Sequence, residues 1–243
     1  MKLKAPETVF STENFCPGCG HGLASRLIGE VTEEMGISEK TIAVVDVACC
    51  SFHIDYWNYD TIMAAHGRDI PTAVGVKHIR PENPVFAYLG DGAAYSIGIA
   101  ETIHAALRND NICVFVINNS VFGMTGGQMA PTTLPNQKTA TSPKGKDPAK
   151  YGTLNIMPML ENLDIAYLAR GELVGAKGMN QSKAMIRKAF EKQAAGMGFS
   201  LVELLSPCPT NLYMTPLKAR EHVDQEMTKF FPLGEFVDKG GNK

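Results

Sequence analysis

Five short, almost continuously apolar runs, 41–47, 84–89, 111–117, 164–168 and 199–205, recur along the chain with longer stretches of helical period between them. A strand that is apolar on both sides has to be covered on both sides, which is the condition of a parallel sheet with helices above and below it. The intervening segments can supply those helices. Segment 22–35 sets Leu23, Leu27, Ile28 and Val31 on one face, 97–108 and 182–195 read similarly, and 216–231 opens with Pro216 in its first turn. The alternation predicts an α/β fold with a doubly wound, mostly parallel sheet, residues 1–243 making one domain that closes with a helical extension. In such sheets ligands bind beyond the carboxyl ends of the strands.

Composition narrows the partners. The chain has 243 residues, is 44% apolar and 20% charged, and carries a formal net charge of −2 with no basic block. It offers no footprint for nucleic acid or for an anionic membrane surface. No apolar run reaches the roughly 18–20 residues that span a bilayer. Residues 1–15 lack the apolar core of a secretion signal, so a cytoplasmic location is expected. Six cysteines, Cys16, Cys19, Cys49, Cys50, Cys113 and Cys208, are too few and too clumped for a disulfide framework. They point to metal or redox chemistry, except Cys113, which lies within an apolar run and reads as core.

Two strand ends carry unusual residues. The run ending at Leu89 leads directly into Gly90-Asp91-Gly92, and the next ends at Asn118-Asn119 and opens into Gly123-Met124-Thr125-Gly126-Gly127. Glycines flanking Asp91 allow a sharp turn and close approach of the backbone to a bulky anion, and the helix that follows offers free N–H groups to phosphate. Asp91 supplies a carboxylate oxygen and Asn119 an amide oxygen. Two such ligands, with phosphate oxygens and water, suit octahedral Mg²⁺. Taken alone, Gly-Asp-Gly is more often only a turn; its position at the end of a buried strand argues otherwise. From 126 to 150 the chain is rich in Gly, Pro, Thr and Lys, as expected of a functional lid or a disordered loop.

The cysteines allow several readings. Cys16-Pro17-Gly18-Cys19 is a C-x-x-C pair, but no apolar strand precedes it, unlike a thioredoxin-type redox pair. Cys16, Cys19, one of Cys49 and Cys50, and Cys208 make a set of four thiolates, which suits zinc and an iron–sulfur cluster equally.

Gly-Asp-Gly followed by Asn 28 residues later (119 − 91) resembles the thiamine-diphosphate fingerprint of decarboxylases, transketolases and 2-oxoacid oxidoreductases. Together with the cysteines, Ala65-His66-Gly67-Arg68, the stretches 90–98, 118–133 and 206–211, and Phe231-Pro232-Leu233-Gly234, it makes the chain resemble a specific family along nearly its whole length. That family is the thiamine-diphosphate-binding β subunit of 2-oxoacid:ferredoxin oxidoreductases, most like the 2-oxoisovalerate (branched-chain) type. The resemblance implies the diphosphate-binding domain of the thiamine-diphosphate fold. It implies Mg²⁺ held by Asp91, Asn119 and the backbone carbonyl of Val121, and a 4Fe-4S cluster held by Cys16, Cys19, Cys49 and Cys208, with Cys50 the alternative to Cys49. It implies a cofactor surrounded by Gly90, Gly92, Ala93, Gly123, Met124 and Thr125, with Cys49 and His66 nearby. Relatives often have a second Asp where this chain has Ala93; that carboxylate is not a metal ligand in the motif.

His66 is implied as a contact of cofactor or substrate. Arg68 is implied as a partner of the substrate carboxylate, with an ordinary salt bridge as the alternative. His21 reads as a polar neighbour of the cysteine loop rather than a ligand. The implied reaction is CoA-dependent oxidative decarboxylation of a 2-oxoacid, with electrons leaving through the cluster to ferredoxin. The implied partners are a pyrimidine-binding α subunit that supplies an activating glutamate, and a ferredoxin-like subunit. Two other readings remain at this point: the diphosphate-binding half of a non-oxidative thiamine decarboxylase, and a zinc-stabilised interaction protein without catalysis.

Overall fold

The computed structural model describes residues 5–10 and 14–240. In chain order the elements are α1 (His21–Glu34), β1 (Ile42–Asp46), a 3₁₀ run Cys49–Asp55, β2 (Asp60–Ala64), α2 (Asp69–Ile79), β3 (Val85–Gly90), a π-helical turn Ala93–Ile97 and α3 (Ile99–Leu107). Then follow β4 (Cys113–Asn118), the hairpin of β5 (Val121–Phe122) and β6 (Gln128–Met129), α4 (Met157–Leu160), β7 (Tyr167–Glu172), α5 (Gly175–Ala194), β8 (Ser200–Leu205), α6 (Pro216–His222) and β9 (Gly234–Asp238). Seven strands form one sheet in the order β2-β1-β3-β4-β8-β7-β9, parallel throughout except for the antiparallel β7–β9 edge.

The expected parallel, doubly covered sheet is therefore present, and its side chains divide by strand alternation. Phe86 and Tyr88 of β3 join Phe115 and Ile117 of β4 on one side, under Leu27, Ile28 and Val31 of α1 and Ile186, Ala189 and Phe190 of α5. Ala87, Leu89, Val114 and Val116 face the other side, under Ile70 and Ala73 of α2 and Ala105 and Ala106 of α3. Cys113 is fully buried in this core, as its apolar setting implies. Leu23, expected on the buried face of α1, is exposed.

Several boundaries differ from the expected ones. The strand expected at 164–168 lies at Tyr167–Glu172, because cross-strand pairing outweighs the apolar pattern: Arg170 stands opposite Glu203 in the β7–β8 register. Their side chains form a fully buried ion pair, so two charged residues occupy core positions. Arg170 also donates to Asn155 Oδ1 at 2.8 Å and lies 5.1 Å from the Phe231 ring. The helical extension is interrupted by a π-helical turn, Val223–Met227, and the chain then returns as edge strand β9. Strand β2 and helix α2 were not anticipated. β2 is an edge strand with an exposed, mixed-polarity sequence, which hides the strand pattern.

A buried ion pair is strongly destabilised when one partner is lost, whereas exposed pairs contribute little. Arg170→Met should cost about 3–5 kcal/mol in urea unfolding of the full chain. Lys183→Met, which removes partly exposed bridges to Glu30 and Glu34, should cost less than about 1 kcal/mol. Equal losses would show that the Arg170–Glu203 pair does not hold β7 to β8.

Candidate cofactor site

The parallel pairing of β3 with β4 sets Gly90 opposite Ile117, so the Asp91 turn and the Asn118–Asn119 turn leave the sheet side by side. Asp91 is buried and accepts a hydrogen bond from Thr132 Oγ1. Burial pushes its carboxyl up to about 7; the Thr132 hydroxyl opposes this, the nearby Glu203 charge adds to it, and the backbone N–H groups of Asn119 and Gly92 oppose it. Among the described residues no basic side chain forms an ion pair with Asp91. A buried carboxylate held only by neutral donors suits a cation supplied from outside the chain.

Beside it, Asn118 Oδ1 accepts from Ser120 N–H at 3.1 Å and Asn119 Oδ1 from Val121 N–H at 3.2 Å. Ser120 has φ 62°, a left-handed conformation uncommon outside glycine and one that recurs at functional sites. Asn118 Nδ2 donates to Glu203 at 3.1 Å, so the buried Arg170–Glu203 pair braces this turn from below. Gly92 is required by its neighbour: a Cβ there would stand 2.4 Å from the Phe122 ring. Ala93 is buried at the start of the π-helical turn. Met124 is half exposed, and Thr125 Oγ1 donates to Gln128 Oε1 at 2.7 Å.

The stretch 126–150, expected as a lid or a disordered loop, is an ordered loop strapped against the Ser120 turn. Thr133 and Gln137 donate to Ser120, while the buried Lys146 ammonium donates to Thr133 O at 2.6 Å and to Thr153 Oγ1 at 2.9 Å.

Three loops carry cysteines to the same edge. Cys16 and Cys19 form a tight turn closed by Cys19 N–H to Cys16 O at 2.9 Å, and Gly20 N–H donates to Pro207 O at 3.2 Å, joining that turn to the Cys208 loop. Asn211 Nδ2 donates to Gly123 O at 2.9 Å and lies 3.6 Å from Cys208 Sγ. Cys49 Sγ is 3.3 Å from the point where a Cβ on Gly123 would stand. Burial raises the Cys19 thiol to about 12 and the Cys49 thiol to about 11, and repulsion among Cys16, Cys19, Cys49 and Cys208 adds to both. Burial likewise raises Cys208. Cys50 points into the core beneath α1 instead. Among the described residues no three His, Cys, Asp or Glu side chains are close enough to hold a single metal ion. A lone zinc needs every sulfur at about 2.3 Å from one point, whereas a polynuclear cluster takes thiolates that stand further apart. Four thiols converging on one edge are a donor set of the kind that zinc and iron–sulfur clusters both take.

His66 Nδ1 lies 2.9 Å from Asp46 Oδ2, and Arg68 forms a 2.8 Å ion pair with Glu101. The ordinary-salt-bridge reading of Arg68 thus describes its present partner. His21 is buried, bonds Tyr88 OH at 2.8 Å, and is lowered to about 4 by burial, so it stays neutral. Asp46, Asp69, Thr132 and Glu203 went unnoticed in the sequence. A charged residue closing a buried strand, as Asp46 does in Val45-Asp46-Val47, was the available signal.

The chain matches the family described as "Thiamine pyrophosphate enzyme, C-terminal TPP binding domain" over residues 46–204, a span that includes Asp91, Asn119 and Cys49 but not Cys16, Cys19 or Cys208. It is 40% identical over 228 residues to the ketoisovalerate oxidoreductase subunit VorA of Methanothermobacter thermautotrophicus, covering 93% of this chain and 48% of that protein. The chain thus spans about half the length of that relative. It is 33% identical to the 2-oxoglutarate synthase subunit KorB of Archaeoglobus fulgidus, over 88% of this chain and 77% of that one. Its fold matches a 2-oxoglutarate:ferredoxin oxidoreductase from Magnetococcus marinus with a TM-score of 0.78 at 23% identity, over 100% of this chain and 88% of that one.

Asp69, at the start of α2, is fully buried and neither carboxyl oxygen has a hydrogen-bonding partner. Burial, then the Asp46 charge, raises it from the ordinary 3.8 to about 8. A raised folded-state value stabilises the fold only while the unfolded chain is also protonated; that contribution is complete below 3.8 and is lost as pH climbs to about 8. Asp69→Asn removes the titration. Its melting temperature relative to the unaltered chain should rise across that window and level off above it; a flat difference would show that Asp69 is ionised in the fold.

Proposed function

Because the chain belongs to the thiamine pyrophosphate enzyme family, among the thiamine-binding subunits of 2-oxoacid:ferredoxin oxidoreductases, we propose that it binds thiamine diphosphate with Mg²⁺ and a 4Fe-4S cluster. Its role would be CoA-dependent oxidative decarboxylation of a 2-oxoacid, 2-oxoisovalerate foremost, with electrons passed to ferredoxin. The observation that carries this reading is the buried Asp91 carboxyl, without a basic partner among the described residues, beside Asn119 and within one loop of four convergent cysteines.

In this reading Asp91, Asn119 and the Val121 carbonyl hold Mg²⁺. Gly90, Gly92, Ala93, Gly123, Met124 and Thr125 line the diphosphate and thiazolium side, with Cys49 and His66 at its rim. The backbone N–H groups after the Gly92 turn face the diphosphate, and Thr125 exchanges its bond to Gln128 for one to the cofactor. Cys16, Cys19, Cys49 and Cys208 hold the cluster, the metal taking the place of the protons that burial would otherwise keep on Cys19, Cys49 and Cys208. His66 and Arg68 meet the substrate, Arg68 by releasing Glu101. Bound thiamine diphosphate supplies the nucleophile and electron sink for decarboxylation; the chain orients it and excludes water.

The same proposal includes partners. Val47 just past β1, Met63 in β2, Ile97 closing the π-helical turn after β3 and Met124 in the β5–β6 connection are each 46–52% exposed. An apolar rim of that kind around a polar site suits a second polypeptide, here a pyrimidine-binding subunit that closes over the cofactor. A groove of about 470 Å³ lined by Cys19, Leu23, Met179, Pro207 and Arg220 suits a ferredoxin-like electron partner. We take 1–243 as one cofactor domain and its setting as the reducing cytoplasm, which agrees with six free cysteines. No helix among the described residues is long and apolar enough to cross a membrane.

Asp91→Ala should weaken Mg²⁺-dependent thiamine diphosphate binding by more than about 100-fold in calorimetry, beyond what outer-shell changes cause, while leaving the cluster's colour intact. Cys16, Cys19, Cys49 and Cys208 changed singly to Ala should each bleach the anaerobic protein, and Cys50→Ala and Cys113→Ala should not. Viologen reduction with 2-oxoisovalerate and coenzyme A should require the pyrimidine-binding partner. Unchanged cofactor affinity in Asp91→Ala would reduce Gly-Asp-Gly to a turn.

A further inference from the structure

Asp46 closes β1 at the carboxyl edge and is fully buried. His66 and the backbone N–H groups of Gly67 and Val47 act on its carboxylate. His66 Nδ1 lies 2.9 Å from Oδ2 and 3.1 Å from Oδ1, and Gly67 N–H donates to Oδ1 at 3.2 Å. Gly67 sits at φ 68°, with Ile97 occupying the space a side chain would need, so the backbone that delivers both contacts is fixed. Behind Asp46 lies Asp69 of α2, buried, its oxygens without partners. The other titratable groups facing this corner are the Cys50 and Cys49 thiols, both raised by burial. Arg68, the one cation nearby in sequence, turns outward to Glu101 and to the Gly67 and Ile97 carbonyls, and neutralises neither carboxyl.

Two carboxyls buried in one corner do not both ionise. The anion goes to the one with donors, Asp46, and the proton to the one without, Asp69. An ionised carboxylate only accepts hydrogen bonds, so His66 has to carry hydrogen on Nδ1. Its side chain is 34% exposed, and its ring centroid is 6.3 Å from that of Phe122, the ring that packs on Gly92. With Nδ1 turned to buried Asp46, Nε2 is the ring nitrogen that the carboxylate does not take.

We propose that Asp46 is a positioning residue that fixes His66 as the Nδ1–H tautomer and leaves Nε2 as the proton-accepting atom of the candidate site, while Asp69 stays a neutral acid so that Asp46 is the only anion of this corner. When a substrate or bound cofactor gives up a proton to Nε2, the imidazolium that forms is stabilised by Asp46; the same atom returns the proton later in the cycle. The inference rests on the reading of this edge as the cofactor site.

The test is nitrogen-15 NMR of the histidine-labelled full chain, with His66 assigned through His66→Gln. The wild type should show Nδ1–H and an unprotonated Nε2. In Asp46→Asn, Gly67 N–H keeps the side-chain carbonyl, so the amide NH₂ falls where Oδ2 stood and donates to Nδ1; the tautomer should switch to Nε2–H. Asp69→Asn should keep Nδ1–H and abolish the infrared carbonyl band of one protonated carboxylic acid at neutral pH. In the assembled enzyme Asp46→Asn should lower kcat by about 100-fold, in the range of general acid–base contributions, with thiamine diphosphate affinity unchanged. Nε2–H in the wild type overturns the proposal even if Asp46→Asn fails to fold, as does an unchanged tautomer in Asp46→Asn or an unchanged band in Asp69→Asn. Failure of the chain to bind thiamine diphosphate would instead overturn the reading of the site and leave the tautomer result standing.

Discussion

The in-register parallel pairing of β3 with β4 is the contact on which the rest depends. It brings the carboxyl ends of two fully buried strands level, so that Asp91 and Asn119, 28 residues apart (119 − 91), share one edge. β8 then pairs with β4 and sends Ser206 and Cys208 to the same edge, with Ser206 N–H bonded to Asn118 O at 2.8 Å. β1 on the other side contributes Asp46 and Cys49. A slip of two residues between β3 and β4 would separate Asp91 from Asn119 by several ångströms, since each strand residue advances about 3.3 Å.

Charge at this edge is arranged against the usual preference of a fold. Asp46, Asp69 and Asp91 are all buried, and burial raises all three. Each is managed differently: Asp46 by a histidine and a backbone N–H, Asp69 by keeping its proton, Asp91 by a threonine and backbone donors. Among the described residues the one buried carboxylate matched by a full cation is Glu203, with Arg170. That pair supports Asn118 from beneath and ties the C-terminal segment, through Phe231 and the Pro232 carbonyl, to the turn that carries Asn119.

Much of this was legible in the sequence because the central strands are continuous apolar runs that end in glycine, aspartate or asparagine. Gly90, Asp91 and Asn119 stood out for that reason, and Cys113 could be set aside as core. The rest depended on long-range pairing. Arg170 in β7 breaks the apolar pattern and makes sense only opposite Glu203. Thr132 looked like one more loop residue until the loop folded back on Asp91. Asp69 carried no signal of its own, and its burial follows from the packing of α2 on β1 and β3, which no local pattern records.

The central claim is that one strand-end edge holds an iron–sulfur cluster beside the thiamine diphosphate site. Iron, acid-labile sulfide and zinc analysis of the anaerobically purified chain tests it most directly. About four iron and four sulfide per chain with no zinc are expected, as a single four-thiolate cubane requires. A stoichiometric zinc ion without iron or sulfide would contradict it.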